Sequence, residues 1–514
     1  MRLDRRDFLW STAACGLVLP VGLRAQAPPA GDRFPHGVAS GDPLADRVVL
    51  WTRVRPALSR TPDVRWQVAE DPAFARVVAS GAVRTAAVRD FTVKVDAGGL
   101  EPATTYYYRF QADGAASPIG RTRTLPREGA SHLRLALVSC SNYPYGFFNV
   151  YARLAARADL DAVLHLGDYI YEFENGRYGD GTALGRVPRP AGETVSLADY
   201  RERYATYRAD PDLQEVHRQH PFITVWDDHE LANNAWREGA QNHQPESEGD
   251  WRPRRDAAWR AYLEWMPVRE QPDLAPRLYR SFRFGGLADL VMLDTRSRRD
   301  LQAGRDDVAR LADPGRSMLG AAQEAWCFDE LRESQRAATP WRLLGQQVLF
   351  ARMTPAGRSV QNADNWDGYQ GARERVLDVL ERERVRDVVV LTGDVHSSWA
   401  MDVPRSAWSG YSARTGEGSL AVEIVTPAVS SPPIFRDGQG RERGQKDMSG
   451  QTGHRACSFR LALPGEFLFS GGATVLGQAS HPHPLCSPDG RWISFNTAQR
   501  GRSVLLSSWF PNCP

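Results

Sequence analysis

The 514-residue chain contains no apolar run long enough to cross a membrane. A transmembrane helix needs about 20 consecutive apolar residues. The apolar segment near the N-terminus, from Trp10 to Leu23, is shorter than this and is interrupted by Pro20. The sequence therefore predicts a protein without a transmembrane anchor.

The chain also lacks a surplus of either charge. Its formal net charge is +2, and residues 1–27, with four arginines and two aspartates, account for all of it. A protein whose main partner is nucleic acid usually carries a large basic patch, so the balance predicts no specific nucleic-acid partner. The hydrophobic share of 42% and the charged share of 25% are typical of a globular protein with two or more domains.

Cysteine is scarce, and the six residues are Cys15, Cys140, Cys327, Cys457, Cys486 and Cys513. Cys15 lies in a segment that we expect to be removed, which leaves an odd number in the mature chain. In an oxidising compartment four of these could pair while one stays free. The sequence leaves the pairing open.

Residues 1–27 have the pattern of an export signal. Arg5 and Arg6 precede Asp7-Phe8-Leu9 and a modestly apolar segment, which is a twin-arginine pattern. Ala25-Gln26-Ala27 has the small-x-small form of a cleavage site. We therefore predict a twin-arginine signal peptide, a transient contact with the twin-arginine translocation machinery, and a periplasmic or secreted protein. An amphipathic first helix is the alternative.

Two regions with different strand patterns follow. Residues 28–126 contain short β-rich runs separated by Pro, Gly and Asp, which predict an antiparallel β-sandwich of immunoglobulin or fibronectin type. Residues 127–514 alternate apolar runs with helix-like stretches such as Phe148 to Arg157 and Arg373 to Arg384, which predicts an α/β domain. The segment from about Pro432 to Pro484 is rich in Gly, Pro and Ser, and we expect it to be irregular and to cover the pocket as a lid.

Four of the apolar runs end in polar residues of an unusual kind. These endings are Cys140-Ser141-Asn142, Asp168 with Tyr171, Asp227-Asp228-His229-Glu230, and Asp394-Val395-His396. Ligands of α/β proteins bind where strands end in loops at the carboxyl edge of a sheet. A single ending of this kind could be a helix cap or a buried thiol, but four together predict one shared site.

The mixture of residue types favours a mixed-metal centre. Converging carboxylates resist ionisation unless a cation is present. Carboxylate oxygens suit hard ions such as Ca²⁺, thiolate and imidazole suit transition metals, and a phenolate favours Fe³⁺. We therefore expect Asp168 to bridge two ions and Tyr171 to complete the iron shell. The alternative for Tyr171 is a packing aromatic, and Tyr169 and His165 are interpreted as core residues.

These motifs resemble those of the PhoD-like alkaline phosphatase and phosphodiesterase family, within the calcineurin-like metallophosphatase fold. The matching strings are RFPHGVASGDP, VVLWTR, SCSN, HLGDYIYE, SLADYRERYATYR, WDDHE, LLGQQ and LTGDVH, and they span nearly the whole chain. The resemblance implies an α/β fold, a four-layer α/β sandwich with an N-terminal antiparallel β-sandwich domain, and a centre of Fe³⁺ and Ca²⁺. Carried over residue by residue, it assigns the metal to Cys140, Asp168, Tyr171, Asp228, Asp394 and His396.

The resemblance also implies two roles at the substrate. His229 would lie near the leaving-group oxygen, to protonate it or to hold the phosphate; a structural histidine at a helix start is the alternative. Arg189, in RVPRP, is the best match for an arginine that clamps the phosphate, with Arg186 as a close rival. The run Arg296–Arg299 is interpreted as a solvated or structural group of charges.

The predicted function is that of a secreted metal-dependent phosphoesterase, an alkaline phosphatase in which a metal-bound hydroxide attacks the phosphorus of a monoester or a diester. The substrate would be a small phosphate ester or a lipid or polymer diester. A dedicated phosphodiesterase of phospholipase D type is one alternative, because the same centre could serve it. A non-catalytic surface binding protein stabilised by calcium is the alternative from another class, and the intact ligand set argues against it.

Overall fold

The computed structural model describes residues 33–56, 61–270, 277–355, 357–413 and 415–432, together with the backbone of five short strands between residues 456 and 507. The predicted signal peptide lies outside the described residues. So do the side chains of Cys457, Cys486 and Cys513, whereas Cys140 and Cys327 are buried free thiols. No helix in the described ranges is both long enough and apolar enough to span a bilayer.

In the described part of the chain the largest sheet has ten strands. In spatial order they are β20 (Pro484–Cys486), β21 (Trp492–Thr497), β22 (Arg502–Ser507), β19 (Glu466–Ser470), β9 (His132–Val138), β10 (Ala162–His165), β11 (Pro221–Thr224), β1 (Val38–Gly41), β2 (Arg47–Arg53) and β5 (Thr92–Gly98). β9, β10, β11 and β1 are mutually parallel neighbours. The N-terminal region therefore continues the sheet that carries three of the four polar strand endings.

The second sheet has seven strands among the described residues. Their order is β12 (Arg280–Phe284), β13 (Ala288–Met292), β14 (Trp341–Gln346), β15 (Val388–Thr392), β17 (Ser419–Val425), β16 (Ser398–Pro404) and β18 (Ala456–Phe459). Alternate residues of β13 enter different cores: Leu290 and Met292 pack with the ten-stranded sheet, and Val291 packs on the opposite side. The two sheets therefore lie face to face, as continuously apolar strands predict.

The described residues form eight α-helices, and the longer of them cover the outer faces of both sheets. They are α1 (Asn149–Ala155), α2 (Leu197–Arg208), α3 (Pro211–Gln219), α4 (Pro245–Glu248), α5 (Trp251–Trp265), α6 (Val308–Leu311), α7 (Ala321–Arg336) and α8 (Gln370–Arg382). α2 begins with a capping box between Ser196 and Asp199. Buried residues of α2, α3 and α5 join the core of the first sheet, and those of α7 and α8 join the core of the second. The result is four layers, helix on sheet on sheet on helix.

The third sheet completes the N-terminal sandwich. It contains β4 (Val77–Arg84), β3 (Asp63–Ala69), β6 (Thr105–Ala112) and β7 (Ala115–Ala116), with β8 (Gly120–Arg123) paired to β6. Its apolar face, including Val68 and Tyr108, packs against Val38 and Leu50 of the ten-stranded sheet. The predicted sandwich is present, and one of its two layers is shared with the α/β region.

The predicted lid is described only in part. β18 pairs with β16 at the edge of the second sheet, and β19 pairs with both β22 and β9 inside the ten-stranded sheet, so the expectation of an irregular segment is wrong for these two pieces. The rest of that prediction lies outside the described residues.

Candidate metal centre

Four loops bring the predicted ligands together at the carboxyl ends of β9, β10, β11 and β15. The first three strands are neighbours in one sheet, and β15 belongs to the facing sheet. The loops are tied by backbone hydrogen bonds: Cys140 N donates to Gly167 O at 3.1 Å, and Ser141 N donates to Asp168 O at 2.8 Å. The site therefore spans both sheets at the edge where α/β proteins bind ligands.

The buried carboxylate of Glu230 fixes two of these loops to each other. It accepts hydrogen bonds from the backbone N–H groups of Asp168, Tyr169 and Asp227, at 3.1, 2.6 and 2.8 Å. One side chain thus holds the ends of β10 and β11 in register beside the site.

The backbone at the strand ends is strained. Cys140, Asp168, Asp394 and His396 have φ angles of 62°, 56°, 56° and 56°. This left-handed region is uncommon for residues other than glycine, and each instance costs roughly 1–3 kcal/mol. Such strain is retained at sites where the surrounding structure enforces it for a function.

One half of the site combines sulfur, nitrogen and oxygen donors. Donor atoms of Cys140, Asp168 and His396 lie within 4.8 Å of one another. Tyr171 Oη donates to Asp168 Oδ2 at 3.0 Å and lies 3.4 Å from His396 Nε2. His396 Nδ1 donates to the carbonyl of Pro432 at 2.6 Å, so Nε2 carries the lone pair. Burial lowers the pKa of His396 to about 4, which keeps the ring neutral near pH 7.

The other half of the site is acidic. Donor atoms of Asp168, Asp228 and His229 form one group within 4.8 Å, and those of Asp227, Asp228 and Asp394 form another. Burial raises the pKa of Asp168 well above its usual value, and the charges of Asp227 and Asp228 add to this rise. Burial likewise raises the pKa of Asp394 to about 7. Without a cation, these carboxylates resist full ionisation.

The residues present fit a metal centre. Asp168 Oδ1, Asp227 Oδ2 and Asp228 Oδ1 are buried and have no hydrogen-bond partner. Buried carboxylate oxygens without partners are costly, and Asp168 and Asp228 belong to one donor group, so a cation held there would satisfy their oxygens. Thiol, phenol and imidazole suit a transition metal on one side, and the carboxylates suit a hard ion on the other.

Sequence comparison identifies the family. The family profile described as PhoD-like phosphatase matches residues 135–462, and that of the PhoD-like phosphatase N-terminal domain matches residues 21–126. The chain belongs to the PhoD-like phosphatase family. It is 38% identical over 430 residues to alkaline phosphatase D of Bacillus subtilis (strain 168), which covers 78% of this chain and 72% of that relative.

A solved structure supports the same family and the same fold. The structure of PhoD matches with a TM-score of 0.76 and 32% sequence identity, over 95% of this chain and 94% of that one. The predicted family, the α/β fold with its N-terminal sandwich and the class of enzyme, a phosphoric ester hydrolase, are confirmed.

In this PhoD-like chain His229 is oriented by a carboxylate that the sequence interpretation missed. His229 Nδ1 donates to Glu172 Oε2 at 2.7 Å. Glu172 Oε1 accepts from Asn233 N at 2.7 Å and from Asn242 Nδ2 at 3.0 Å. Burial lowers the pKa of His229, but the charges of Glu172, Asp168 and Asp228 outweigh it and raise this pKa well above its usual value. The sequence feature that could have identified Glu172 is its position in GDYIYE, four residues after Asp168.

The two arginines proposed as phosphate clamps lie in different environments. Arg189 is exposed, and its Nε donates to Glu202 Oε1 at 3.0 Å. Arg186 is buried, donates to Asp210 Oδ2 at 2.8 Å, and stacks 3.8 Å from the ring centre of Tyr143. Their described contacts are with groups other than the six predicted ligands, so the clamp stays a prediction.

The solvated interpretation of the run Arg296–Arg299 is wrong for its first and last residues. Both are fully buried, which supports the structural interpretation. Arg296 Nε donates to Asp227, and its Nη2 donates to Asp394 Oδ1 at 3.2 Å. A short basic run gives no local sign of such burial, because the acidic partners come from distant parts of the sequence.

The two residues interpreted as core residues have local partners. His165 Nε2 lies 3.1 Å from Tyr151 Oη, and Tyr169 Oη lies 2.9 Å from His217 Nε2. Both side chains are buried, and His165 lies outside the three candidate metal groups. The core interpretation is confirmed for both.

Proposed function

We propose that this chain is an alkaline phosphatase with a centre of Fe³⁺ and Ca²⁺, which hydrolyses phosphomonoesters and also accepts phosphodiesters. Cys140, Tyr171 and His396 would hold the iron, and Asp168 would bridge it to calcium. Asp228 and Asp394 would hold calcium. The observation that supports this proposal is the convergence of thiol, phenol, neutral imidazole and unpartnered carboxylate oxygens in one buried cluster.

When bound, such ions activate water and neutralise negative charge on a phosphoryl group. The protein supplies the fixed arrangement of donors. The hydrogen bonds of Glu230 fix the strand ends, with their left-handed backbone conformations, before any substrate arrives. The donors therefore need little reorganisation during the reaction.

His229 is proposed as the proton donor to the leaving-group oxygen. Its Nδ1 is held by Glu172, which leaves Nε2 as the nitrogen for the substrate. The raised pKa of His229, to which the Glu172 charge contributes, keeps the imidazolium protonated. A protonated and oriented imidazole suits general acid catalysis.

Arg189 is proposed to hold the substrate phosphate. Its side chain is 76% exposed and forms an ion pair with Glu202. An exposed pair of this kind contributes only about 0–1 kcal/mol, so a phosphate could displace the glutamate without a large cost. The guanidinium could then offer two parallel N–H donors to the phosphate oxygens.

Export is also part of the proposal. Arg5 and Arg6 with the following apolar segment support a twin-arginine signal peptide and a periplasmic or secreted enzyme. The translocation machinery would then be a transient partner, and phosphate esters would be the lasting one.

The test uses the full chain, purified without added metal. Elemental analysis, the visible spectrum, and rates on p-nitrophenyl phosphate and bis-p-nitrophenyl phosphate are measured together. We expect bound iron and calcium, a visible tyrosinate–iron band, and faster hydrolysis of the monoester. Asp168→Asn should lose the metals and both activities, whereas Asp256→Asn, an exposed aspartate on α5, should lose neither.

Each alternative has its own result. Hydrolysis of the diester alone would favour a dedicated phosphodiesterase. Bound calcium without hydrolysis of either ester would favour a non-catalytic binding protein. Full activity in a colourless protein that contains no iron would contradict the iron assignment.

A further inference from the structure

Arg296 lies inside the acidic half of the site. Its side chain has no exposed surface. Nε donates to Asp227 Oδ1, Nη1 donates to Asp364 Oδ2 at 2.6 Å, and Nη2 donates to Asp394 Oδ1 at 3.2 Å. Nη2 also lies 3.5 Å from Asp228 Oδ1. One guanidinium therefore faces four carboxylates.

These four carboxylates fall into two classes. Asp227 and Asp364 anchor the guanidinium through Nε and Nη1, and Asp364 is held a second time by Arg299 Nη2 at 2.6 Å. Asp228 and Asp394, which share Nη2, are the proposed calcium ligands. The arginine is thus fixed on one edge, while its other edge reaches the oxygens that an ion would use.

The positive charge of Arg296 has opposite effects before and after an ion binds. In the empty centre it offsets the repulsion among buried carboxylates, which would otherwise be large at low dielectric. When a divalent cation is present, the cation offsets the same repulsion, and the guanidinium repels the cation. A guanidinium stays charged at every relevant pH, so it cannot avoid this repulsion by losing a proton.

We propose that Arg296 is a positioning residue that acts as a fixed counter-charge: it keeps Asp228 and Asp394 in place while the centre is empty, and it weakens the binding of Ca²⁺ to them. This inference rests on the proposed function, because it takes Asp228 and Asp394 as ion ligands. It makes the stability effect of Arg296 depend on whether the centre is loaded, by thermodynamic linkage.

The test compares the full chain with Arg296→Gln, both stripped of metal, with Ca²⁺ as the only added ion. Melting temperatures are measured without Ca²⁺ and at saturating Ca²⁺, and the Ca²⁺ dissociation constant is measured by calorimetry. We expect the substitution to lower the melting temperature of the empty form at least about twice as far as that of the loaded form. The variant should also bind Ca²⁺ about tenfold more tightly than the unsubstituted chain.

Arg299→Gln is the matched control. Arg299 is equally buried and binds the same Asp364, but its other hydrogen bonds go to the backbone oxygens of Ala235 and Asp364. Its replacement should lower the melting temperature by the same amount with and without Ca²⁺, and should leave the Ca²⁺ affinity unchanged. A residue that is only structural behaves in this way.

Arg296→Lys keeps the inference testable if the glutamine variant does not fold. Lysine keeps the charge but cannot bridge both classes of carboxylate. We expect a larger loss of melting temperature in the empty form than in the loaded form and, by the same linkage, a Ca²⁺ affinity that rises by less than the increase in Arg296→Gln, because lysine keeps the charge. Equal losses in both forms, for either variant that folds, overturn the role of Arg296 alone. An unsubstituted chain that takes up no Ca²⁺ overturns the calcium centre and this role together.

Discussion

At Tyr171 the role of a metal ligand can be tested separately from a packing role, because the ring and the hydroxyl oxygen have different neighbours. The ring stacks 4.2 Å from His229, whereas Oη contacts Asp168, His396 and Ser431. Tyr171→Phe keeps the ring and removes the donor. We expect a folded protein that loses the visible band and at least about a hundredfold in turnover, the scale of losing a preorganised electrostatic contact. Absorption spectra and kcat measure the two effects.

Tyr169→Phe is the control for that prediction. Its hydroxyl contacts His217 and Arg208 rather than a proposed ligand, so the variant should keep both colour and rate. Unchanged colour and rate in Tyr171→Phe would return Tyr171 to a packing role.

Glu172 sets the pH range in which His229 can donate a proton. The folded-state pKa of His229 is raised: burial lowers it, but the Glu172 charge and two aspartates more than compensate. Activity that needs this proton is therefore present below the raised pKa and is lost as pH rises through it. Glu172→Gln removes the largest raising charge, so the alkaline limb of the kcat profile should move to lower pH. Rates measured across pH give the shift.

Glu193→Gln is the matched variant for the pH prediction. Glu193 lies next in the same network, where it accepts from Asn242 and Arg254 but does not touch His229. The alkaline limb of the kcat profile of Glu193→Gln should therefore lie at the same pH as in the unsubstituted enzyme. A Glu172→Gln profile that coincides with that of the unsubstituted enzyme would remove His229 as the proton donor.

A site residue could be predicted from the sequence only where a nearby sequence pattern marks it. Each of the six predicted ligands follows an apolar run within a few positions, so they could be predicted. The partners of Arg296 and Glu172 are far away: Asp227 is 69 residues from Arg296, and His229 is 57 residues from Glu172. The packing of the two sheets brings Arg296 to Asp227, whereas the pairing of β10 with β11 brings Glu172 to His229, and no short motif encodes either approach.

At the scale of elements, the turn after β10 depends on a glycine. Gly167 has φ +107°, and a Cβ there would lie 2.4 Å from Asp227 Cβ and 2.6 Å from Asp227 N. Gly167→Ala should therefore push the ends of β10 and β11 apart and separate Asp168 from Asp228. We expect loss of bound metal and of activity, measured by elemental analysis and kcat, beyond what a fall in melting temperature explains.

Gly176→Ala tests the same backbone strain without the clash. Its φ is +93°, and a Cβ added at this loop position would have no neighbouring atom within 4 Å. This variant should be destabilised and yet keep its metal. Equal metal contents in the two variants would show that the approach of the two strand ends does not control the centre.

At the scale of the whole molecule, the N-terminal sandwich and the α/β region share one sheet. The change in strand pattern near residue 126 predicts two regions, and that division stays a prediction. The pairing of β1 with β11 could not be predicted, because Ser40 and Gly41 meet Pro221 and Phe222, which lie far away in the sequence. Asp42 extends this junction, since its carboxylate binds Arg280 at 2.5 Å and accepts from Arg269 N at 2.7 Å.

We therefore expect the two regions to unfold as one unit. Asp42→Asn breaks the ion pair between buried Asp42 and part-buried Arg280, which should cost less than the roughly 3–5 kcal/mol of a fully buried pair, and it should shift a single cooperative transition to lower temperature. Calorimetry and the loss of phosphatase activity should give the same midpoint.

A chain that begins at residue 127 would expose the edge of β11. It would also remove Trp51, whose indole N–H donates to the backbone oxygen of Glu264 on α5 at 2.8 Å. It should be insoluble, and a soluble, active protein of that length would show that the shared sheet is dispensable.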